Sequence, residues 1–166
     1  LLPCYQWYRR IVVPKAHPLA RARSVSIEKL AGHPIVTYVF SLSGPSSLPA
    51  AFQRAGLEPD IALTARDADV VKTYVRLGLG VGIVAAMAVD PAEDADLVSI
   101  DAQHLFPRHL TWLGYRRGVF LRRYAYDFMH LLAPHRDRTR VMRASQAATQ
   151  DDVDAVFADV EMPVYA

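Results

Sequence analysis

The sequence predicts an α/β domain built on a largely parallel sheet. Three observations predict it. Short apolar runs that suit buried strands recur through the first two thirds of the chain. Segments of 3.6-residue periodicity alternate with them. Several of those segments open at a Ser or Asp and close at a glycine, the usual marks of a helix start and stop.

Arg9 to Pro14 reads as a strand carried by Ile11, Val12 and Val13. Residues 14–20 form a loop holding His17-Pro18, and Ser26 caps a short helix, 27–31, closed by Gly32. Residues 34–38 are a second strand, followed by a polar loop, 41–45, that contains Gly44 and Pro45. Ser46 or Ser47 starts a helix whose core face is Leu48, Ala51, Phe52 and Ala55, with Gly56 as its stop. Residues 60–65 are a third strand.

Asp67 then caps a helix. Val70, Val71, Tyr74, Val75 and Leu77 form its apolar face, and Asp69, Lys72, Thr73 and Arg76 its polar one. Gly78 supplies the left-handed residue that ends it, and 81–86 is a buried strand. After Asp90-Pro91 come an acidic turn, 93–96, and strands at 97–101 and 110–115. Phe120, Leu121, Tyr124, Ala125, Phe128, Leu131 and Leu132 give a long helix a broad apolar face, and Pro134 stops it. Residues 136–150 are polar, with helix expected from Thr139. A terminal helix, 151–161, carries Val153, Val156, Phe157 and Val160.

Composition excludes several function classes. At 166 residues and 52% hydrophobic the chain can bury a core and is not disordered. Its net charge of +2 (19 basic minus 17 acidic) is too small to argue for a nucleic-acid surface. The single cysteine, Cys4, cannot form an internal disulfide and suits a reducing cytoplasm. No apolar run approaches the ~20 residues of a membrane span. Residues 1–13 do not read as a signal peptide, being interrupted by Pro3, Gln6, Arg9 and Arg10. The chain starts on Leu1-Leu2-Pro3 rather than Met, as a piece of a longer protein would.

Gly78, Gly80 and Gly82 superficially match a dinucleotide-binding fingerprint. That fingerprint needs strand, glycines, then a helix whose N-terminus faces the pyrophosphate. Here the helix comes first, so the glycines sit at its partly negative end and a tight helix-to-strand turn is the better reading. HExxH, CxxC, GxSxG and Walker patterns are all missing, and the six histidines show no metal-ligand spacing. We therefore assign no catalytic residue, no metal and no cofactor. Asp67 and Asp69 are explained by capping and the helix dipole. Arg116-Arg117 and Arg122-Arg123 form a basic cluster at the start of the long helix, read as a solvated face with a ligand or partner as the alternative.

The loop 39–47, VFSLSGPSS, stands apart. It follows a parallel strand and precedes a helix, where hydroxyls and free N–H groups suit a small anion. Ordinary serine capping accounts for the same residues, and the local sequence leaves both readings open.

DADVVKTYVRLGLGVGIVAAMAVDP at 67–91, with LPCYQW at 2–7, resembles the effector-binding domain of the LysR-type transcriptional regulators, in their CysB/Cbl branch. IVVPKAHPLA at 11–20, SIEKLAGHPIVTY at 26–38, AFQRAGLEP at 51–59 and GYRRGVFLRRYAYDF at 114–128 agree in the same register. The resemblance implies a type 2 periplasmic-binding-protein-like fold, two subdomains joined by crossover strands around a small effector. On that scheme residues 8–103 are subdomain II, and 1–7 with 104–166 are the crossovers and the C-terminal part of an incomplete subdomain I. The N-terminal winged helix-turn-helix lies outside the chain. The implied effectors are sulfate, O-acetylserine or N-acetylserine, controlling sulfur assimilation and cysteine biosynthesis. DNA would be reached through the missing domain of a cytoplasmic homodimer or homotetramer with no membrane association. A solute-binding protein of the same fold is the alternative.

The resemblance also implies a site. Ser43 matches an effector-contacting threonine of the family and keeps its hydroxyl. Leu42 and Pro45 replace a family aromatic and arginine, which bears on effector identity. Gly44, Tyr38 beneath the loop, Tyr5 and Trp7 on the crossover, and Ala68 at the helix start complete the expected effector-binding set. The N-terminal turn at 66–69, opposite the glycines, is its expected helical wall.

Overall fold

The computed structural model describes residues 1–44, 47–116 and 118–165, so Pro45, Ser46, Arg117 and Ala166 lie outside the described residues. The chain divides into two compact units, one of residues 7–108 and one of residues 1–6 with 109–165. Among the described residues, helices pack with two sheets, one of three strands and one of five.

In chain order the elements of the 7–108 unit are β2 (Arg9–Pro14), α1 (Ile27–Ala31), β3 (Ile35–Tyr38), α2 (Leu48–Arg54), β4 (Ile61–Ala65), α3 (Ala68–Arg76), β5 (Val81–Ala85) and β6 (Leu97–Asp101). β1 (Leu2–Trp7) precedes them. The sheet order is β4-β3-β5-β2-β6. β3 pairs parallel with β4, Tyr38 opposite Ala65, and with β5, Val36 opposite Gly82. β2 pairs antiparallel with β5 and β6, so it alone runs against the other four.

Side chains alternate across the pleat, and both faces are covered. Ile11, Val13, Ile35, Val81, Ile83 and Ile100 pack with Leu30 of α1, Leu48 and Phe52 of α2, and Phe106. Val12, Val36, Tyr38 and Val84 pack on the other side with Val71 and Val75 of α3. The caps follow the sequence reading. Ser26, Ser47 and Asp67 accept the Lys29, Ala50 and Val70 N–H groups. Ser47, rather than Ser46, is therefore the N-cap of α2. Gly78 has φ +80°, the left-handed conformation that ends α3.

The face of α3 differs from the expected one. Val71, Lys72 and Val75 are buried, whereas Val70, Tyr74 and Leu77 are exposed. Lys72 turns inward because its ammonium finds partners there: the Ala88 carbonyl at 3.0 Å and the Asp94 carboxylate at 2.9 Å. Asp94 comes from the acidic turn after Pro91, and its side chain is 2% exposed. Arg76 closes the network on Asp94 and Asp96, 2.8 Å from each. The acidic turn is thus an ionic clasp on α3.

The second unit has a three-stranded sheet, β7-β1-β8, with β7 at His109–Leu113 and β8 at Val164–Tyr165. Helices α4 (Arg123–Leu132), α5 (Arg138–Ser145) and α6 (Gln150–Val156) pack around Cys4, Leu113, Met129, Val141, Val153 and Phe157. α4 begins three residues later than expected. Of its supposed core face, Phe120, Tyr124, Phe128 and Leu131 are exposed, and Met129 is the buried residue of the helix. Asp137 caps α5, placing its start one residue before Thr139. Thr149 and Asp152 form a capping box that starts α6 before Asp151, and the helix ends at Val156 rather than running to Glu161. No helix among the described residues is long and apolar enough to cross a membrane.

Candidate functional site

The parallel register brings the carboxyl ends of β3, β4 and β5 together, because Tyr38 faces Ala65 and Ile35–Val36 face Val81–Gly82. This is the edge at which open α/β sheets offer ligands their loop ends. Reversed β2 contributes its beginning to the same edge, with Arg9 opposite Ala85.

Several of the expected site residues converge here. Tyr38 is buried, its hydroxyl accepts the Ala85 N–H at 3.2 Å, and its ring stacks on Phe40 at 4.6 Å. A 3₁₀ turn, Val39–Leu42, replaces the irregular loop anticipated after the strand. It ends at Ser43, which is extended at φ −125° and exposed. Gly44 follows at φ +86°, a conformation that sets the chain's direction toward Ser47 and α2. Leu42 is exposed beside them. Ala68 is the first residue of α3, next to the Asp67 cap. Asp67 takes the Val70 N–H, so the carboxylate engages one of the first-turn donors.

Trp7 ends β1, immediately before the β2 strand that carries Arg9. Tyr5 belongs to the other unit. Its hydroxyl donates to the Leu132 carbonyl, and its ring lies 5.0 Å from His135 and 5.4 Å from Tyr165. Among the described residues no group of three His, Cys, Asp or Glu is placed to hold a metal. His104 bonds the Val25 carbonyl at 2.8 Å and contacts Ser24 at 3.2 Å, which makes it a loop tie.

Two residues at this edge escaped the sequence reading. Ser41 is 1% exposed, and its hydroxyl has no hydrogen-bond partner among the described residues. A buried hydroxyl left so is costly, by about 1–3 kcal/mol. Arg9 is 4% exposed, with its guanidinium 5.5 Å above the Phe106 ring. Burial pulls Arg9 down to about 10, against the opposing influence of Tyr38. It remains a cation at neutral pH. Burial raises the Tyr38 phenol, against the Ala85 N–H and the Lys72 and Arg9 charges. A signal for Arg9 was present: it shares the period-two face of Ile11 and Val13. Nothing local marks Ser41, which sits among other serines of a polar loop.

The edge therefore gathers two hydroxyls, Ser41 and Ser43, with a buried positive charge and no carboxylate among the expected ligands. Such a set suits a small anion or a polar amino-acid derivative. Tyr38→Phe removes the acceptor of the Ala85 N–H. We expect it to cost about 1–3 kcal/mol in urea unfolding, since a buried donor is left unpaired.

The family model for the LysR substrate binding domain matches residues 1–137. The HTH-type transcriptional regulator CysB of Haemophilus influenzae is 47% identical over 161 residues, covering 97% of this chain and 50% of that protein. The regulator SsuR of Burkholderia cenocepacia is 49% identical over 139 residues, covering 84% of this chain and 45% of that protein. The crystal structure of the cofactor-binding domain of the Cbl transcriptional regulator aligns with a TM-score of 0.76 at 36% identity, covering 89% of this chain and 64% of that one. The chain spans about half the length of the curated relatives it matches.

Proposed function

Because the chain belongs to the LysR substrate-binding-domain family, we propose that it is the effector-sensing part of a transcriptional regulator of sulfur assimilation and cysteine biosynthesis. Its effector is a small anion or acetylated amino acid: sulfate, O-acetylserine or N-acetylserine. The observation that carries this reading is the pair of hydroxyls at the strand ends, Ser43 exposed and Ser41 buried without a hydrogen-bond partner among the described residues, in a chain 47% identical to CysB.

In this reading Ser43 and Gly44 donate to the effector, Ser41 turns its hydroxyl toward it, and Arg9 supplies a favourable field. Tyr38 holds the turn in place through its bond to Ala85 and its stack on Phe40. Leu42, Ala68, Trp7 and Tyr5 are the further proposed contacts. Residues 8–103 form the proposed subdomain II, and 1–7 with 104–166 the crossovers and the rest of subdomain I. The effector binds one conformation of the sensing domain better than another and shifts the population toward it. A homodimer or homotetramer in the cytoplasm relays that shift to DNA through a helix-turn-helix outside these 166 residues.

Titration of the full-length regulator with N-acetylserine, O-acetylserine and sulfate, read by operator footprint, tests the proposal. A footprint that changes with effector, and needs at least about tenfold more effector in Ser43→Ala, is the expected result for loss of a hydrogen bond to a charged or polar ligand. An unchanged footprint at millimolar effector overturns it. The 166-residue chain by itself is expected to bind these effectors weakly or not at all, and micromolar binding in calorimetry would contradict that expectation.

A further inference from the structure

The Tyr38 hydroxyl has a hydrogen-bonding capacity that the fold leaves unspent. Tyr38 is the last residue of β3 and Ala85 the last of β5. The 3.2 Å bond from the Ala85 N–H therefore holds the phenol oxygen at the carboxyl-end edge of the parallel strands. In that bond the oxygen accepts. A phenol also carries one proton to donate. Among the described residues that proton meets no acceptor. Tyr38 is 7% exposed, so bulk water has little access to it.

The donor is also held in place before any ligand arrives. Phe40 stacks on the Tyr38 ring at 4.6 Å with 13° between the planes. The ring belongs to the apolar cluster of Val36, Val71, Val75 and Val84. A donor fixed in this way binds without a large ordering cost. The charges that act on the phenol are Lys72 and Arg9, both positive, and Asp67, negative. Two cations against one carboxylate favour an electron-rich partner. Three residues further on, Ser41 presents a second buried hydroxyl without a partner among the described residues.

We propose that Tyr38 is itself an effector-binding group, accepting the Ala85 N–H and donating its proton to an oxygen of the effector. Its acceptor side is taken, so the ligand atom it meets is an acceptor, as in a sulfate, a carboxylate or an acetyl carbonyl. The proposal rests on the reading of this edge as the effector site, and it adds a direct contact to the part Tyr38 plays in holding the turn.

The full-length regulator tests it, with sulfate and N-acetylserine as probes and the operator footprint as readout. Tyr38→Phe is expected to need about tenfold more effector, as for loss of a hydrogen bond to a charged group. That variant also unpairs the Ala85 N–H, so a second one separates the two roles. Trifluorotyrosine placed at position 38 ionises near neutral pH. As a phenolate it still accepts the Ala85 N–H but has no proton to donate. The effector needed by this protein, relative to the parent at the same pH, is expected to rise about tenfold as the phenol ionises. By linkage, saturating effector is expected to move the ionisation, followed by absorbance, to higher pH. An effector requirement indifferent to that ionisation, or a Tyr38→Phe requirement within about twofold of the parent, would overturn the donor role. In either case a parent footprint that responds to effector leaves the effector-sensing reading standing. A parent footprint that does not respond overturns both.

Discussion

Asp94→Ala is expected to destabilise the 7–108 unit by about 3 kcal/mol, since removing one partner strands the other charge in the interior. Lys72 and Asp94 side chains are 6% and 2% exposed, so solvent cannot take the place of the lost carboxylate. The figure lies at the lower end of the usual cost because Asp69 remains 3.3 Å from Lys72 and the Ala88 carbonyl 3.0 Å away. Arg76 keeps its two contacts to Asp96. Urea unfolding followed by fluorescence checks the value. A cost below about 1 kcal/mol would show the clasp to be screened like an exposed pair. Replacing both groups, Lys72→Met with Asp94→Leu, is expected to cost less than Asp94→Ala alone, because no buried charge is left unpaired.

The same clasp gives stability a defined pH window. For Asp94, burial pushes the carboxyl up, but the Lys72 ammonium, the Asp90 N–H and Arg76 outweigh it and hold it below the ordinary range. A depressed carboxyl stabilises the fold above its unfolded value, about 3.9, and the contribution is lost as pH falls through the folded value. For Lys72, burial works downward, but the bonds to Asp94 and Asp69 prevail and raise it. A raised ammonium stabilises below its unfolded value, about 10.4, and the contribution is lost as pH rises through the folded one. The difference in unfolding free energy between parent and Asp94→Ala is therefore expected to be flat across neutral pH and to shrink on the acid limb. A difference that instead grows on acidification would contradict the assignment.

Gly80→Ala is the second large effect, expected at about 3 kcal/mol, the upper end for overpacking a filled interior. A Cβ at position 80 would meet the Pro34 carbonyl oxygen and lie 2.8 Å from the Pro34 carbonyl carbon. Those atoms cannot retreat, because the same oxygen accepts the Val81 N–H at 2.8 Å, where β5 begins beside β3. Gly82→Ala meets instead the methyl groups Val12 Cγ2 and Val75 Cγ2, at 2.5 and 2.7 Å. Side chains can shift where backbone cannot, so the expected order of destabilisation in thermal melts is Gly80→Ala above Gly82→Ala. The reverse order would show that the α3–β5 packing, rather than the β3–β5 approach, governs this turn. Either way the glycines serve chain packing, as their position after a helix had indicated.

Much of the architecture was legible because local signals agreed with one another. Ser26, Asp67 and Gly78 each sit where a cap is needed, and Ile11, Val13, Ile35, Val81 and Ile83 are apolar runs that both faces of a sheet can bury. Lys72 was misplaced because periodicity assigns polar residues to solvent. Only the fold brings Asp94 within reach, 22 positions away, and makes an inward lysine tolerable. Phe120, Tyr124, Phe128 and Leu131 were misplaced for the opposite reason: a periodic apolar stripe shows that a face can be buried, not that a partner covers it.

The candidate site divides the same way. The sequence by itself determined the α/β class, the family likeness and the position of Ser43, Gly44 and Tyr38 after a strand, because these depend on residue order and local chemistry. The tertiary structure alone decided that Ser41 is buried without a partner among the described residues and that Tyr38 is pinned to Ala85. It also decided that reversed β2 sets Arg9 beside the ends of the parallel strands. Those facts rest on which strands become neighbours and in which register, and a pairing between distant segments leaves no trace in the local pattern of either one.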